Sequence, residues 1–315
     1  GYINYSIGFK NSDLNLGLRA EKTISEGVSL TTGQVTNKNY LNFFPNLQFV
    51  QNINLNNRLL FSYSRRITRP GYDNLNPFLN YLDQYSYRAG NPLLQPEFVR
   101  IAEVTHNYKN KFTTTLRAKV IDDLIIELNE QNDLTKVNTI ISRNINRQYF
   151  YGIELNMPVT VNNWWMMNLN LLSAYEKYIV TTSTEDFKNT SPSLIFSSLQ
   201  SFRFTEDFSA EINGKYESPT IYGIYNFKSA YSFDLAIGKS FLNKNATARL
   251  RITDILNTAS NRYTSTFQNL NLRYRDKRDS MMGQISFSYV FGRNTVKGAR
   301  KRDTGSENVQ DRLGN

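Results

Sequence analysis

The stretch FSAEINGKYE, residues 208–217, alternates strictly between two kinds of side chain. Apolar or small residues occupy every second position: Phe208, Ala210, Ile212, Gly214 and Tyr216. The positions between them carry Ser, Glu, Asn, Lys and Glu. Because successive side chains of a β-strand point to opposite faces of its sheet, the pattern predicts a strand with one apolar and one polar face.

The same alternation recurs along the whole chain. It is found in YINYSIGF (2–9), DLNLGLRAE (13–21), RLLFSYSRRI (58–67), YSFDLAIGKSF (231–241) and QISFSYVF (284–291). Residues 97–108 and 190–204 alternate less cleanly, which leaves room for a bulge in either run. Helical periodicity does not persist anywhere, so we predict an all-β protein.

The composition excludes membrane-spanning helices but allows a membrane β-barrel. No apolar run approaches the roughly 18 residues that a membrane-spanning helix needs, so that class is excluded. The mean hydropathy of −0.50 suits a soluble protein, but the strands of a membrane barrel need apolar residues only at alternate positions. The chain holds 20 Phe and 20 Tyr against 2 Trp, and this aromatic excess points to ring girdles.

Reactive side chains are scarce. The chain has no Cys and a single His, His106, which excludes thiol chemistry and a multi-histidine metal site. We find no catalytic constellation, and we therefore expect no enzyme, no metal and no cofactor. The net charge of +10 is spread along the chain rather than clustered in a binding module, so we expect no nucleic-acid partner.

Short and long connections take turns along the sequence. We place the short ones near residues 10–13, 52–57, 109–111, 160–163, 205–207 and 242–245. We place the long ones near residues 24–38, 68–96, 131–139, 179–189, 218–229 and 257–280. Short turns at one end and long loops at the other are the layout of an outer-membrane barrel, with a large soluble all-β protein as the alternative.

The strand count bears on where the chain belongs in such a barrel. The pattern predicts about thirteen strands, and an odd number does not match the even count of a complete bacterial barrel. We expect residues 1–291 to form a transmembrane antiparallel β-barrel that lacks N-terminal strands, supplied by a longer protein. Residues 292–315 are polar and basic, which predicts a disordered periplasmic tail.

The alternation also assigns side chains to the two faces of the barrel wall. Apolar side chains are expected to meet lipid, and polar ones the interior. The candidate interior residues are Arg66, Arg117, Glu154, Glu211, Arg249 and Arg251. Both signs of charge occur, which favours a hydrated or plugged interior, although Arg249 and Arg251 could instead bind an acidic substrate. Near a short turn we predict that Trp165 faces lipid and that Trp164 points the other way.

The connection 68–96 is unusually rich in prolines and rings. Pro70, Pro77, Pro92 and Pro96 each fix one φ angle and restrict the residue before them. A long loop stiffened in this way is expected to be ordered, and ordered long loops tend to be functional. The candidate extracellular contacts for a ligand are Arg69, Tyr72, Asn76, Phe78, Tyr81, Tyr85, Tyr87 and Asn91.

One segment resembles a known family. SYSRRITRPGYDNLNPFLNYLDQYSYRAGNPLLQPEF at 62–98 closely resembles a signature of outer-membrane β-barrel proteins of Bacteroidota, which are relatives of TonB-dependent receptors. Weaker matches are YFYGIELNMPV at 149–159, ITDILNT at 252–258 and SFSYVFGRNTVKGARKRDTG at 286–305. The resemblance implies a barrel of twenty-two strands in the bacterial outer membrane, with an N-terminal plug, of which this chain would be the C-terminal part.

The resemblance also implies a function and partners. It predicts a receptor that imports a nutrient ligand and is powered through a TonB contact in the N-terminal part of the protein. Outer-membrane lipid surrounds such a barrel, and a surface lipoprotein or another envelope protein is a possible partner. Two alternatives stay open: a barrel that does not transport but scaffolds partner proteins or secretion machinery, and a soluble β-rich binding protein.

Overall fold

A computed structural model describes residues 1–28, 33, 35–181 and 186–291. Within these residues it contains nineteen strands and one helix of four residues, α1 (Tyr72–Leu75). The strands are β1 (Tyr2–Gly8), β2 (Ser12–Val28), β3 (Val35–Asn54), β4 (Asn57–Thr68), β5 (Asn80–Tyr81), β6 (Ser86–Ala89), β7 (Glu97–Tyr108), β8 (Phe112–Asn132), β9 (Val137–Thr160), β10 (Trp165–Thr181), β11 (Asp186–Arg203), β12 (Phe208–Glu217), β13 (Thr220–Tyr222), β14 (Tyr225–Phe227), β15 (Ala230–Phe241), β16 (Ala246–Thr253), β17 (Asn261–Phe267), β18 (Leu270–Asp276) and β19 (Met282–Tyr289). The tail predicted at 292–315 lies outside the described residues.

One antiparallel sheet runs through the described chain. Its main path follows sequence order, β1-β2-β3-β4-β7-β8-β9-β10-β11-β12-β15-β16-β19, so it holds thirteen strands. This confirms the predicted all-β class and the strand count. On this path β1 pairs only with β2, and β19 pairs only with β16, so both edges are open within the part of the chain that the structure describes.

The register between strands separates the two faces as the alternation predicts. Opposite residues in an antiparallel pair share a face, and Ile212 lies opposite Leu235 while Asn213 lies opposite Asp234. We call the side with Ile212 the apolar face and the side with Asn213 the polar face. The runs 97–108 and 190–204 pair without any shift in register, so neither contains the bulge that their sequence left room for.

The two ends of the sheet differ in their connections. All six short turns fall where they are predicted, between β1 and β2, β3 and β4, β7 and β8, β9 and β10, β11 and β12, and β15 and β16. At the other end, the loops expected at 131–139 and 179–189 are mostly strand. The hairpin of β8 and β9 continues with Leu128 opposite Ile141, because backbone pairing extends through a segment whose polar side chains are typical of loops.

The extended hairpin changes face at Asp123. This residue has a φ of 57° and interrupts the ladder between the pairs Asp122–Arg147 and Leu124–Ile145. As a result, Leu124 and Ile145 pack in the same core as Ile121. The interruption therefore turns apolar side chains of the long-loop end toward the polar face of the sheet below.

A second, smaller sheet covers this core. It has the strand order β13-β14-β17-β18 and is formed by the connections 218–229 and 254–281. The sequence predicted loops at 218–229 and 257–280, so these two segments contain strands that were not predicted. Its buried residues join those of β8, β9 and β10 in one cluster: Ile121, Leu124, Ile126, Leu128, Ile145, Tyr178, Val180, Ile221, Ile224, Tyr225, Phe267 and Leu270. The chain thus has a thirteen-strand wall and a separate hydrophobic core at its long-loop end.

Candidate functional site

The long connection 69–96 is folded against the wall at its base. Arg69 donates hydrogen bonds to a carboxylate oxygen of Glu21 at 2.9 Å and to the hydroxyl of Thr23 at 3.1 Å, both on β2. Farther along, β6 pairs in parallel with residues 138–141 of β9. The connection therefore crosses from the β2 side of the wall to the β9 side, and both ends of its path are anchored.

The neck of this connection is closed by backbone and amide hydrogen bonds. The amide N–H of Gly90 donates to the carbonyl oxygen of Asn76 at 2.9 Å, and a Cβ at Gly90 would collide with that backbone. Asn91 is buried, and its side-chain amide donates to the carbonyl oxygen of Ser142 on β9 at 3.2 Å. Asn76 and Asn91 were predicted as ligand contacts, and the structure places them in the neck that holds the loop.

The rings of the same connection point away from the wall. Phe78 and Tyr81 are 65% and 68% exposed, and Tyr72 and Tyr85 are exposed to a similar degree. Tyr87 is half-buried and packs edge-on against Tyr81 with the ring centroids 5.8 Å apart. All five rings lie on one loop, and the four exposed ones are accessible to a ligand or a partner.

The smaller sheet is tied to the wall by polar contacts as well as by the core. The hydroxyl of Tyr225 accepts a hydrogen bond from the side chain of Asn129 at 3.0 Å and donates to the carbonyl oxygen of Glu127 at 3.1 Å. Asn269 donates to the carbonyl oxygen of Gln131 at 2.9 Å. Sequence reasoning missed this sheet, and its only signal was the spacing of rings and β-branched residues in 220–227 and 261–267.

A cavity of about 530 Å³ lies between the smaller sheet and the adjoining strands β12 and β15. Its charged lining consists of Lys215, Glu217, Lys228, Arg262, Asp276 and Arg278. Lys215 pairs with Glu217, and Arg278 pairs with Asp276, whereas Arg262 donates to the carbonyl oxygen of Ser229. The lining has an excess of basic groups and includes Phe227 and Tyr231, so it suits a polar ligand that carries negative charge or rings.

Asp254, in the motif ITDILNT, ties together the two ends of the connection that carries β17 and β18. Its carboxylate accepts hydrogen bonds from the backbone N–H groups of Thr258 and Ala259 at 3.0 and 2.9 Å, and from the hydroxyl of Ser280. Lys277 lies 3.9 Å from the same group. Burial opposes ionisation, but these hydrogen bonds outweigh it and lower the pKa of Asp254 from 3.8 to about 2.

Charged side chains on the polar face pair across strands. Arg249 is bonded to Glu211, and Arg251 lies 2.9 Å from Asp234. Farther along the sheet, Arg117 is bonded to Glu103 and lies 3.6 Å from Glu154. Arg66, the remaining predicted interior residue, lies opposite Val99 in the register of β4 and β7. Most of the predicted interior residues of both signs thus form ion pairs with one another or with neighbouring strands. Such pairing suits a polar face that is exposed to water.

Rings mark the short-turn end of the apolar face. Trp165 lies opposite Phe202, and their centroids are 5.9 Å apart. Trp164 stacks on Trp165, Phe202 and Phe204 at 6.1–6.3 Å, so it joins the same row. The prediction that Trp164 points away from Trp165 is wrong, because Trp164 lies in the turn before β10, where strict alternation does not apply. This row has the composition of an interfacial girdle.

A family match covers nearly the whole described wall. The sequence profile described as "Outer membrane protein beta-barrel family" matches residues 1–289. The chain belongs to this family. It is therefore a protein of the bacterial outer membrane, and the predicted location is confirmed. A comparison with curated proteins found no match.

Three solved structures with the same fold are two receptors and a transporter. The siderophore receptor PirA from Pseudomonas aeruginosa is 14% identical, with a TM-score of 0.58 over 82% of this chain and 45% of its own. The copper transporter OprC is 11% identical, with a TM-score of 0.62 over 92% of this chain and 47% of its own. The Serratia marcescens hemophore receptor HasR, solved with its hemophore and heme, is 14% identical, with a TM-score of 0.60 over 92% and 50%.

These likenesses confirm the barrel fold and the predicted resemblance to receptor barrels. The chain spans about half the length of the solved structures that it matches. No helix in the described residues is long and apolar enough to cross a membrane. Within the same residues, no cluster of His, Cys, Asp and Glu is suited to hold a metal ion.

Proposed function

We propose that this chain forms part of the wall of an outer-membrane receptor that takes up a nutrient ligand across the bacterial outer membrane. The observation that supports this most directly is the folded long-loop end, where an ordered ring-bearing loop and a second sheet rise from a membrane wall. A wall that only spanned the membrane would not need a hydrophobic core of twelve residues above it. Rigid loops on a stable scaffold are typical of binding sites.

The ligand would be bound from outside, at the long-loop end. The rings of loop 69–96 and the cavity beside the smaller sheet lie at this end. The ion pairs of the polar face, such as Arg249 with Glu211, lie on the wall strands nearer the short turns. The cavity has basic groups and rings, which favours a polar ligand with anionic or aromatic character. We infer that Asn76 and Asn91 hold loop 69–96 in place from its neck. We also infer that the rings of this loop at Tyr72, Phe78, Tyr81 and Tyr85 contact the ligand.

Energy for release would come through a TonB contact in the remainder of a longer protein. The open edges at β1 and β19 each need a partner strand, because unpaired backbone groups cannot face hydrocarbon. Further strands that close the wall, and a plug within it, would account for the other half of the solved structures' length. A surface lipoprotein or another envelope protein is compatible with the ring-bearing loop.

Uptake measurements with the full-length protein test this proposal. Cells with and without the intact gene are given labelled ferric catecholate, haem or Cu(II), with and without an uncoupler of the proton-motive force. We expect gene-dependent accumulation of one probe that the uncoupler abolishes, and we expect no catalytic turnover of that probe.

A matched pair of substitutions locates the site. Replacing Arg262 by Ala changes the cavity at the long-loop end, whereas replacing Lys244 by Ala removes a cation at a short turn. We expect only the first to weaken binding of the accumulated probe to the purified full-length protein. If no probe accumulates in a gene-dependent manner, or if the uncoupler has no effect, a scaffolding barrel becomes the better account.

A further inference from the structure

The apolar face carries a cluster of cations at its long-loop end. Arg100 on β7 lies opposite Val120 on β8, two residues before Asp122. Asp122 in turn lies opposite Arg147 on β9. Lys177 on β10 lies opposite Tyr149 on β9, two residues from Arg147. The cluster continues to both sides, with Arg65 opposite Arg100 and Lys188 opposite Ile179. Charged groups on the lipid side of a barrel are costly unless they lie at an interface.

Side-chain contacts place these groups on one side of the sheet. Asp122 forms ion pairs with both Arg100 and Arg147. Arg147 donates to the hydroxyl of Tyr149 at 3.1 Å, and the ammonium of Lys177 lies 5.9 Å from the centre of that ring.

Neighbours on the polar face interact separately. There, the side-chain amide of Gln148 donates to the hydroxyl of Tyr178 at 2.7 Å and to a carboxylate oxygen of Glu176 at 2.9 Å. The cation cluster of the apolar face is therefore distinct from the ion pairs of the interior.

The cluster lies at the height expected for the headgroups of the outer leaflet. Twelve residues separate Trp165, in the girdle at the short-turn end, from Lys177 on the same strand. At about 3.3 Å per residue and a tilt of roughly 40°, this span rises about 30 Å. The apolar band of such a barrel is about 25 Å tall, so Lys177 lies just beyond it, at headgroup level.

The cluster has more positive charge than its own carboxylate can neutralise. Asp122 is shared by Arg100 and Arg147, which leaves that trio with a net charge of +1, and Lys177 adds another. Arg65 stands directly opposite Arg100, and like charges opposite each other destabilise a sheet. Nε of Arg100 is buried without a hydrogen-bond partner. An anion bound at the exposed guanidinium and ammonium groups would relieve the repulsion between these cations.

Directly below the cluster, the apolar face forms a groove of about 840 Å³. Small residues form its floor, namely Ala102, Ala118 and Ser173. Ala102 and Ala118 lie two positions nearer the short turns than Arg100 and its partner Val120, and Ser173 lies four positions nearer them than Lys177. Larger side chains form its walls: Phe61, Tyr63, Leu116, Tyr151, Ile153 and Tyr175. A strip of small residues between tall rings is the shape that holds a hydrocarbon chain.

We propose that this surface is a binding site for a phosphorylated lipid of the outer leaflet. Its phosphate is held by Arg100, Arg147 and Lys177, and one acyl chain lies in the groove below. Phosphate pairs well with guanidinium and ammonium groups, particularly near hydrocarbon, where water screens little. The site faces the membrane, so it is independent of the ligand that the barrel takes up.

Lipid retention by the full-length protein tests the proposal. The purified protein is placed in phosphatidylcholine nanodiscs that contain diphosphorylated lipid A, and bound lipid is counted by native mass spectrometry. We expect one retained lipid A per protein, and about tenfold weaker retention for each cation removed in Arg147→Gln and Lys177→Gln. The control Lys239→Gln removes an apolar-face cation at the short-turn end, opposite Phe208, and should leave retention unchanged.

Two further arms separate headgroup from chain. Ala118→Phe fills the groove without altering charge, and we expect it to lower retention of lipid A. Inorganic phosphate should not displace the lipid, because it lacks the acyl chain that lies in the groove. Equal retention by the wild type and the Arg147 and Lys177 variants, each shown to be folded by its heat-dependent mobility, would overturn the proposal. An equal loss in Lys239→Gln would overturn it too, by showing that any cation on this face suffices.

Discussion

The two-face assignment predicts a large asymmetry between neighbouring residues of β12. Ile212 lies four residues from Phe208 and four from Tyr216, the apolar-face rings near the two ends of the strand. It is therefore close to the middle of the apolar band. Its cross-strand neighbour is Leu235, and no charged group is opposite it in either adjacent strand. An arginine at this position would meet hydrocarbon.

The expected penalty follows from that depth. Arg at the bilayer midplane on the lipid side of a barrel costs about 2–4 kcal/mol, which is roughly a 30- to 900-fold change in the folding equilibrium. Asn213→Arg is the matched control, because Asn213 lies on the polar face opposite Asp234. There the new cation faces water beside Asp234, which already pairs with Arg251, and we expect a change of less than about 1 kcal/mol.

Reversible unfolding of the full-length protein from phosphatidylcholine vesicles by guanidinium measures both values. Tryptophan fluorescence follows the transition, since Trp164 and Trp165 both lie in the interfacial girdle. Equal stability of the Ile212→Arg and Asn213→Arg variants would refute the assignment of faces. A larger loss in Asn213→Arg would show that the faces are reversed.

Three further predictions concern the loops and the polar face. Asn91→Ala should increase hydrogen exchange throughout loop 69–96 because it removes the bond to Ser142, and unchanged exchange would contradict the structural role assigned to Asn91. The lowered pKa of Asp254 means that its stabilisation is complete above about pH 4 and is lost as the pH falls toward 2, so Asp254→Asn should speed hydrogen exchange of residues 254–281 at neutral pH but not at pH 2. A double-mutant cycle on Arg249 and Glu211 should give a coupling of about 0.2–1 kcal/mol that shrinks in high salt, and a value that salt does not change would show that the pair is shielded from water.

The candidate site was only partly predictable. The rings at Phe78 and Tyr81 were expected to be exposed on an ordered loop, and they are. The burial of Asn91 could not be anticipated, because its partner Ser142 lies fifty-one residues away on another strand. The cavity beside the smaller sheet was missed entirely, since Lys215 and Arg262 are brought together only when two separate connections pair.

The sequence by itself determined the wall of this protein. Alternation has a period of two residues, so each strand carries its face assignment within its own few residues, and a short polar turn is enough to pair it with the next strand. The thirteen-strand path therefore follows from local pattern repeated along the chain.

Only the tertiary structure decided what lies above and around the wall. The extended β8–β9 hairpin, the reversal at Asp123 and the sheet that covers it depend on contacts between segments as far apart as Asn269 and Gln131. The cations beside Asp122 come from different strands, and only the register between those strands brings them together. The sequence of a single strand does not specify that register. Burial against a distant partner determines these features, and a local pattern carries no information about that partner.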